Sequence, residues 1–193
     1  MEPSTLILAS SSPRRSELLR TLGRDFTVLP SEAEESVNEH LTARELSQLN
    51  AYRKARLIAK RCPDALVIGA DTVVHLGEVF YGKPASREEA HRFLRELQGR
   101  THQVVTGVCL IHLRHHRQRI FATSTDVTFR ALDDGQIREY LRRINPLDKA
   151  GAYGIQEFGD LIVQAITGSY TNVVGLPLEP LREELATFYP AAA

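Results

Sequence analysis

Residues 65–76 read Ala-Leu-Val-Ile-Gly-Ala-Asp-Thr-Val-Val-His-Leu and form the strongest strand pattern in the chain. Apolar and β-branched residues fill most of the run, and Gly77 marks the turn that ends it. Asp71 interrupts the apolar character in the middle of the run. A carboxylate that faces a protein core costs several kcal/mol if it has no partner. The stretch therefore predicts a buried strand and a compensating partner for Asp71.

Asp71 allows two interpretations. In the structural one, an aspartate near a strand end caps a neighbouring turn. In the functional one, it is a general base or a metal ligand at the rim of the sheet, where α/β sheets usually place their chemistry. This stretch by itself leaves both open.

The segments around this strand predict an α/β fold. Helices that interleave with strands, together with a long antiparallel hairpin, indicate a mixed twisted β-sheet flanked by helices. Thr42 and Glu45 form a capping box at the start of the second helix. We predict helices at 13–22, 42–61, 86–97, 133–143 and 178–188. Strands are predicted at 5–9, 26–29, 65–76, 101–113, 117–130 and 161–166, together with a short return strand after Gly77 that ends near Tyr81. A loop is predicted at 145–156.

Two arginines stand where the first helix begins. Ser12 is the predicted N-cap and Pro13 the first helical residue, so Arg14 and Arg15 fall in the first turn. The helix dipole favours acidic side chains there, which suggests that an anion comes to the arginines. With Ser10 and Ser12 they predict a phosphate cradle, although solvated arginines after a Ser-Pro helix start are an equal alternative.

Three further charged residues fit the same chemistry. Glu35 lies in an acidic loop, which is weak evidence because such loops are usually only solvated. Lys54 precedes Leu57 and Ile58 by one helical turn, so its stem borders the apolar side of the 42–61 helix. Lys83 lies in a Gly-Lys-Pro turn that is expected to return it close to Asp71. Two acids, two lysines and the cradle suit a metal-bridged polyphosphate attacked by water.

Composition excludes several classes of protein. The chain has 193 residues, with 24 Lys plus Arg balanced by 24 Asp plus Glu. Zero net charge argues against a broad grip on a nucleic acid polymer or an anionic membrane. The chain carries no apolar run of membrane-spanning length and no secretory signal pattern, so we expect a cytoplasmic protein. Cys62 and Cys109 lack metal-ligand spacing and are expected to be reduced thiols.

The chain resembles the Maf family of nucleoside triphosphate pyrophosphatases over nearly its whole length. We therefore expect one domain at 1–189 and a flexible tail at 190–193. The stretches that carry the resemblance are ASSSPRR at 9–15, GADTVV at 69–74, GKP at 82–84, THQV at 101–104, DKAGAYGIQ at 148–156, GSY at 168–170 and VVGLPL at 173–178.

The resemblance implies a fold like that of inosine triphosphate pyrophosphatases, with the substrate in a cleft between two lobes. It implies hydrolysis of a nucleoside triphosphate to the monophosphate and pyrophosphate, with a divalent cation such as Mg²⁺ or Mn²⁺, in a homodimer. Asp71 matches the proton acceptor, and Asp71 with Glu35 the metal ligands. The matching catalytic residues are Asp71, Glu35, Lys54 and Lys83, and the matching or predicted substrate-binding residues are Ser10, Ser12, Arg14, Arg15, Thr72 and Gln156.

Within the family, the sequence is similar to the branch that acts on dTTP and UTP. A neutral amide at Gln156 can offer both a donor and an acceptor to the O4 and N3–H edge of uracil or thymine. Glu157 departs from the family, where glycine usually follows the glutamine, and it removes φ freedom beside the base pocket. Two alternatives stay open: a nucleotide-binding regulator of cell division that inhibits septum formation, and a pyrophosphatase that removes modified nucleotides.

Overall fold

A computed structural model describes residues 5–36 and 40–189. The predicted tail at 190–193 lies outside these ranges, and the single domain at 1–189 stays a prediction. The elements of the described residues are, in chain order, β1 (Leu6–Leu8), α1 (Pro13–Arg20), β2 (Thr27–Val28), α2 (Ala43–Arg61), β3 (Leu66–Leu76), β4 (Val79–Tyr81), α3 (Arg87–Leu97), β5 (Thr101–His112), β6 (Arg117–Phe129), α4 (Asp134–Arg143), a 3₁₀ turn (Ala150–Ala152), α5 (Gly159–Ile162), β7 (Val163–Thr167), α6 (Tyr170–Val174) and α7 (Leu178–Phe188).

The described strands form one mixed sheet of seven strands. Its order is β2-β1-β3-β5-β6-β7, and β4 pairs with the end of β3. β1 pairs in parallel with β2 and β3, whereas the β3–β4, β3–β5, β5–β6 and β6–β7 pairs are antiparallel. In this register Asp71 lies opposite Gly107. The predicted mixed α/β sheet flanked by helices is confirmed.

Helix α2 lies directly on the sheet because two glycines leave room for its backbone. A Cβ at Gly69 would overlap the carbonyl of Ala51, and a Cβ at Gly107 would overlap the backbone of Ser47. The capping box of Thr42 and Glu45 is present and fixes where the helix starts. The close approach brings Asn50 and Lys54 of α2 within hydrogen-bonding distance of Asp71 on β3.

Most predicted elements are present, with four differences. The first helix ends at Arg20 rather than just before Gly23, which follows in a turn with φ of 68°. The strand predicted at 161–166 starts two residues late, because Leu161 and Ile162 belong to α5. The predicted loop at 145–156 contains a 3₁₀ turn, and α6 was not predicted. Across the described ranges, no helix combines the length and the hydropathy that crossing a bilayer requires.

Candidate active site

A cavity of about 1300 Å³ opens between the first half of the chain and the loop that follows α4. Its wall is made by the β1–α1 junction, residues 31–36, the first half of α2, the β3–β4 hairpin and residues 148–156. All the side chains predicted from the sequence line it: Ser10, Ser12, Arg14, Arg15, Glu35, Lys54, Asp71, Thr72, Lys83 and Gln156.

Asp71 is 6% exposed and is held by two residues of α2. Its Oδ1 accepts a hydrogen bond from Lys54 Nζ at 2.7 Å, and its Oδ2 accepts one from Asn50 Nδ2 at 3.2 Å. The compensating partner expected from the sequence is therefore present. Lys54 Nζ also donates to Glu35 Oε1 at 2.6 Å. The ammonium of Lys54 bridges a buried carboxylate and one that is 45% exposed.

The charges around Glu35 keep it ionised. Burial raises the pKa of Glu35, but the hydrogen bond from Lys54 and the positive charges of Lys54, Lys83 and Arg15 outweigh this, so the pKa lies below its usual value. Glu35 and Asp71 thus present carboxylate oxygens to a common point on the cavity wall. These two carboxylates could hold a metal ion. No group of three or more His, Cys, Asp or Glu side chains with metal-ligand geometry occurs in 5–36 and 40–189.

Arg15 has protein partners in this structure, and its role in a phosphate cradle stays a prediction. Its guanidinium donates to the carbonyl of Gly175 at 2.8 Å, to Thr72 Oγ1 at 3.0 Å and to Ser10 Oγ at 3.2 Å. Burial lowers the pKa of Arg15, and the charges of Asp71 and Glu35 oppose this shift. Arg15 therefore ties α1 to β3 and positions Thr72 on the cavity wall.

Arg14 also has a partner, on the far side of the cavity mouth. Its guanidinium contacts Asp148 Oδ2 at 3.2 Å, and Glu157 Oε1 lies 4.0 Å away. Lys149, with a side chain only 4% exposed, contacts Asp148 Oδ1 at 2.8 Å and Glu157 Oε1 at 3.0 Å. Glu157 thus compensates a buried lysine. Glu157 itself does not have a positive φ, whereas the next residue, Phe158, has a φ of 55°.

Lys83 and Gln156 also lie on the cavity wall. Within the described part of the chain, neither makes a hydrogen bond or an ion pair, and both are exposed. The sequence placed Lys83 close to Asp71; the structure places it on the same cavity, where its charge acts on Glu35. Both side chains are free to contact a ligand.

Buried aromatic residues hold the Gln156 loop from behind. The hydroxyl of Tyr140 accepts from the N–H of Gly154 at 3.1 Å and donates to its carbonyl at 3.3 Å. Tyr153 Oη and His102 Nε2 share a hydrogen bond of 2.8 Å. Burial lowers the pKa of His102 to about 4, with a smaller contribution from His75. The imidazole of His102 is therefore neutral, and it supports the loop through its hydrogen bond to Tyr153.

The sequence interpretation missed Asn50, Tyr140 and Lys149 as individual contributors. Asn50 could have been noticed, because it lies four residues before Lys54 and so shares its helix face. Tyr140 reads as an ordinary core position of an amphipathic helix. Lys149 belongs to the stretch at 148–156 that carries the family resemblance, but its burial depends on partners that no local pattern predicts.

Fold and site together define an α/β protein whose cleft sets carboxylates beside cations, a combination suited to phosphate chemistry. A family model described as Maf-like protein matches residues 5–188. The chain belongs to this family, as the sequence resemblance predicted.

Curated relatives cover nearly the whole chain. A dTTP/UTP pyrophosphatase of Moorella thermoacetica is 49% identical over 185 residues, which is 96% of this chain and 95% of the relative. The dTTP/UTP pyrophosphatase of Bacillus velezensis is 45% identical, over 95% of this chain and 96% of its own. An archaeal relative of the same name, from Thermococcus kodakarensis, is 48% identical over 90% of this chain and 92% of its own.

Proposed function

We propose that this chain hydrolyses dTTP and UTP to the nucleoside monophosphate and pyrophosphate. The observation that carries the proposal is the bridge of Lys54 between Glu35 and Asp71 on the wall of a cavity large enough for a nucleotide. Relatives that share 41–49% identity over 90–96% of the chain bear the name of this activity. Such an enzyme removes unwanted or modified nucleotides from the triphosphate pool.

In the proposed reaction, the oxygen of a water molecule bonds to phosphorus at the α–β anhydride. The anhydride P–O bond breaks, and the two products are the monophosphate and pyrophosphate. Asp71, whose carboxylate is buried at the cavity wall, is the proposed acceptor of the proton of this water and, with Glu35, a proposed ligand of the cation. Lys54 and Lys83 neutralise charge that develops on the phosphate oxygens.

A divalent cation, Mg²⁺ or Mn²⁺, fits the residues present. Glu35 Oε1 and Asp71 Oδ1 both point at one positive centre, the ammonium of Lys54, so they already converge. Mg²⁺ in phosphoryl-transfer sites is usually held by one or two carboxylates, with phosphates and waters completing the shell. We therefore assign Glu35 and Asp71 as its protein ligands. When bound, the cation would stabilise negative charge on the phosphate oxygens.

We assign the other end of the cavity to the base. Gln156 is exposed on the wall, where its amide can donate to O4 and accept from N3–H of uracil or thymine. Arg14 and Thr72 flank the same space, while Ser10, Ser12 and Arg15 line the β1–α1 junction on the phosphate side.

The test is a panel of triphosphates with identification of both products. We expect pyrophosphate and the monophosphate from dTTP and UTP with Mg²⁺ or Mn²⁺, and much slower release from CTP and the purine triphosphates. Release of orthophosphate in place of pyrophosphate would overturn the reaction type. A clear preference for 5-substituted uridine triphosphates would instead favour the removal of modified nucleotides.

The predicted homodimer rests on the family resemblance and is part of the same proposal, as is the cytoplasmic location. Light scattering on the purified protein is the direct test of the dimer. A mass that stays at one chain of 21.6 kDa over the assay range of concentration would remove it.

A further inference from the structure

Asn50 is a buried amide in the middle of α2 that the proposed reaction does not use. It is 3% exposed, and all its hydrogen-bonding groups point into the protein. Its Oδ1 accepts from the N–H of Ser36 at 2.7 Å, and its Nδ2 donates to the carbonyl of Ser36 at 3.2 Å and to Asp71 Oδ2 at 3.2 Å. Both amide protons and the amide oxygen therefore have partners.

Asn50 and Lys54 act on Asp71 as a pair. They lie four residues apart on α2 and so share one face of the helix. Lys54 takes Oδ1 of Asp71, and Asn50 takes Oδ2. Because each oxygen has its own donor, the plane of the carboxylate is fixed.

The same amide holds the segment that carries Glu35. Asn50 bonds both backbone groups of Ser36, the residue directly after Glu35. The Glu35 side chain is 45% exposed, so packing alone does not hold it beside Lys54. The regular elements nearest to this segment are the two-residue strand β2 and helix α2. The bonds to Asn50 are what connect the Glu35 backbone to the helix that carries Lys54.

We propose that Asn50 is a positioning residue that sets Glu35 and Asp71 at a fixed separation across the Lys54 ammonium. The part concerning catalysis rests on the proposed function, whereas the part concerning the backbone of Ser36 does not. Replacing Asn50 by the similarly sized Leu removes all three bonds and frees residues 31–36 from the helix. Glu35 would then leave its place beside Lys54.

The first experiment measures amide hydrogen exchange by NMR and needs no substrate. In Asn50→Leu, we expect the protection of the Ser36 amide to fall by about tenfold or more, because a buried bond to it is lost. The amides of Leu46 and Cys62, which bond within α2, report on the helix itself and should keep their protection. Unchanged protection at Ser36 would overturn the proposal.

The second experiment is a double-mutant cycle on kcat for UTP with Glu35→Ala. A misplaced catalytic carboxylate lowers the rate steeply, so Asn50→Leu should reduce kcat by roughly tenfold or more in the parent. In the Glu35→Ala background the same change should cost clearly less than in the parent, since one of the two carboxylates that Asn50 positions is already gone. An equal loss in both backgrounds would mean that Asn50 does not act through Glu35, which overturns its role of setting Glu35 relative to Asp71.

Two further variants keep the test decisive. Ser47→Ala removes another buried polar group of α2 and should change neither readout, because among the residues that the structure describes its hydroxyl bonds only to the carbonyl of Arg44. If Asn50→Leu does not fold, Asn50→Ser replaces it, because the shorter side chain leaves the core intact but does not reach Ser36. If the parent protein releases no pyrophosphate from any triphosphate, the proposed function fails, and the exchange of Ser36 still decides whether Asn50 holds the segment.

Discussion

At one end of the cavity, Asp71, Lys54 and Asn50 all stand on β3 or α2, whereas at the other end Gln156 stands on an irregular loop. The first group is tied by short hydrogen bonds between buried or nearly buried side chains. The second end is closed by ion pairs whose side chains are 25–49% exposed, apart from the buried Lys149. We call the first region, proposed for catalysis, the catalytic end, and the second, proposed to bind the base, the base end. Asp71, Lys54 and Asn50 of the catalytic end are held by regular structure, whereas Glu35 and Lys83 lie outside helices and strands. The base end is held by side chains placed around a loop.

The contrast follows from what each end has to do. A carboxylate and an ammonium that act on phosphate need a fixed geometry, which a sheet and a long helix provide. A loop can adapt to the shape of a base, but it needs support from behind. The hydroxyl of Tyr140, bonded to both backbone groups of Gly154, and the Tyr153–His102 pair provide that support.

The largest effect is expected at the catalytic end. Asp71→Asn keeps the size of the side chain but removes its charge and its basic lone pair, so kcat for UTP should fall by roughly 10² or more. The measurement is kcat at saturating UTP and metal, with circular dichroism as the check of folding. Near-normal turnover by a folded variant would show that the buried carboxylate serves the structure only.

The next effect is expected at the base end and concerns selectivity rather than rate. CTP reverses both hydrogen bonds that a Gln156 amide makes to uracil, and each mismatched polar group costs about 1–3 kcal/mol. Gln156→Ala should therefore narrow the UTP to CTP ratio of kcat/KM by roughly ten- to hundredfold. A ratio equal to that of the parent would move base recognition to Thr72 or to backbone groups. The Gln156 loop would then not be the part of the cavity that selects the base.

The two ends also differ in how far the sequence predicts them. Helix α2 and the course of β3 follow from local signals, the Thr42–Glu45 capping box and the apolar run at 65–76. The sequence thus predicts the two elements that carry Lys54 and Asp71. It does not predict the contact between the two side chains, because that contact depends on the close packing of α2 on Gly69 and Gly107. Asn50 was not predicted either, since its partner Ser36 lies 14 residues away in an irregular segment.

At the base end and at the β1–α1 junction, the contacts depend on partners that are distant in sequence. Arg14 meets Asp148 across 134 residues, and Arg15 meets Gly175 across 160. Both arginines line the cavity. The helix-start pattern does not predict these partners, because a local pattern carries no information about carbonyl and carboxylate groups that tertiary folding brings close.

A third effect is a pH dependence of stability that arises at His102, behind the base end. His102 is 1% exposed, and burial lowers its pKa from 6.5 to about 4. His102 therefore binds a proton more readily in the unfolded chain than in the folded one. The stability that the neutral His102 contributes is complete above pH 6.5 and declines as the pH falls toward 4. From neutral pH to about pH 5.5, the free energy of unfolding should fall by roughly 1 kcal/mol through His102.

Urea denaturation at both pH values measures this effect, and His102→Gln is the control, because other titrating groups are common to both proteins. The parent should lose more stability than the variant does. An equal pH dependence in the two proteins would mean that the imidazole is not the group responsible, and that the support behind the Gln156 loop does not depend on protonation.

The smallest effect is expected for Arg14, and it tests whether the ion pairs of the base end carry stability or are held ready for a ligand. The Arg14 and Asp148 side chains are 25% and 49% exposed, and pairs of this kind contribute about 0–1 kcal/mol. Arg14→Ala should lower the Tm of the ligand-free protein by at most about 3 °C. The difference in Tm between the parent and the variant should shrink in about 0.5 M KCl, because salt screens exposed charges.

Since a triphosphate binds the folded protein preferentially, it should raise the Tm of the parent more than that of the variant. Thermal denaturation with and without UTP measures both quantities. A large, salt-independent loss of Tm with an unchanged response to UTP would make Arg14 a structural clamp, and the base end would then be as rigidly built as the catalytic end.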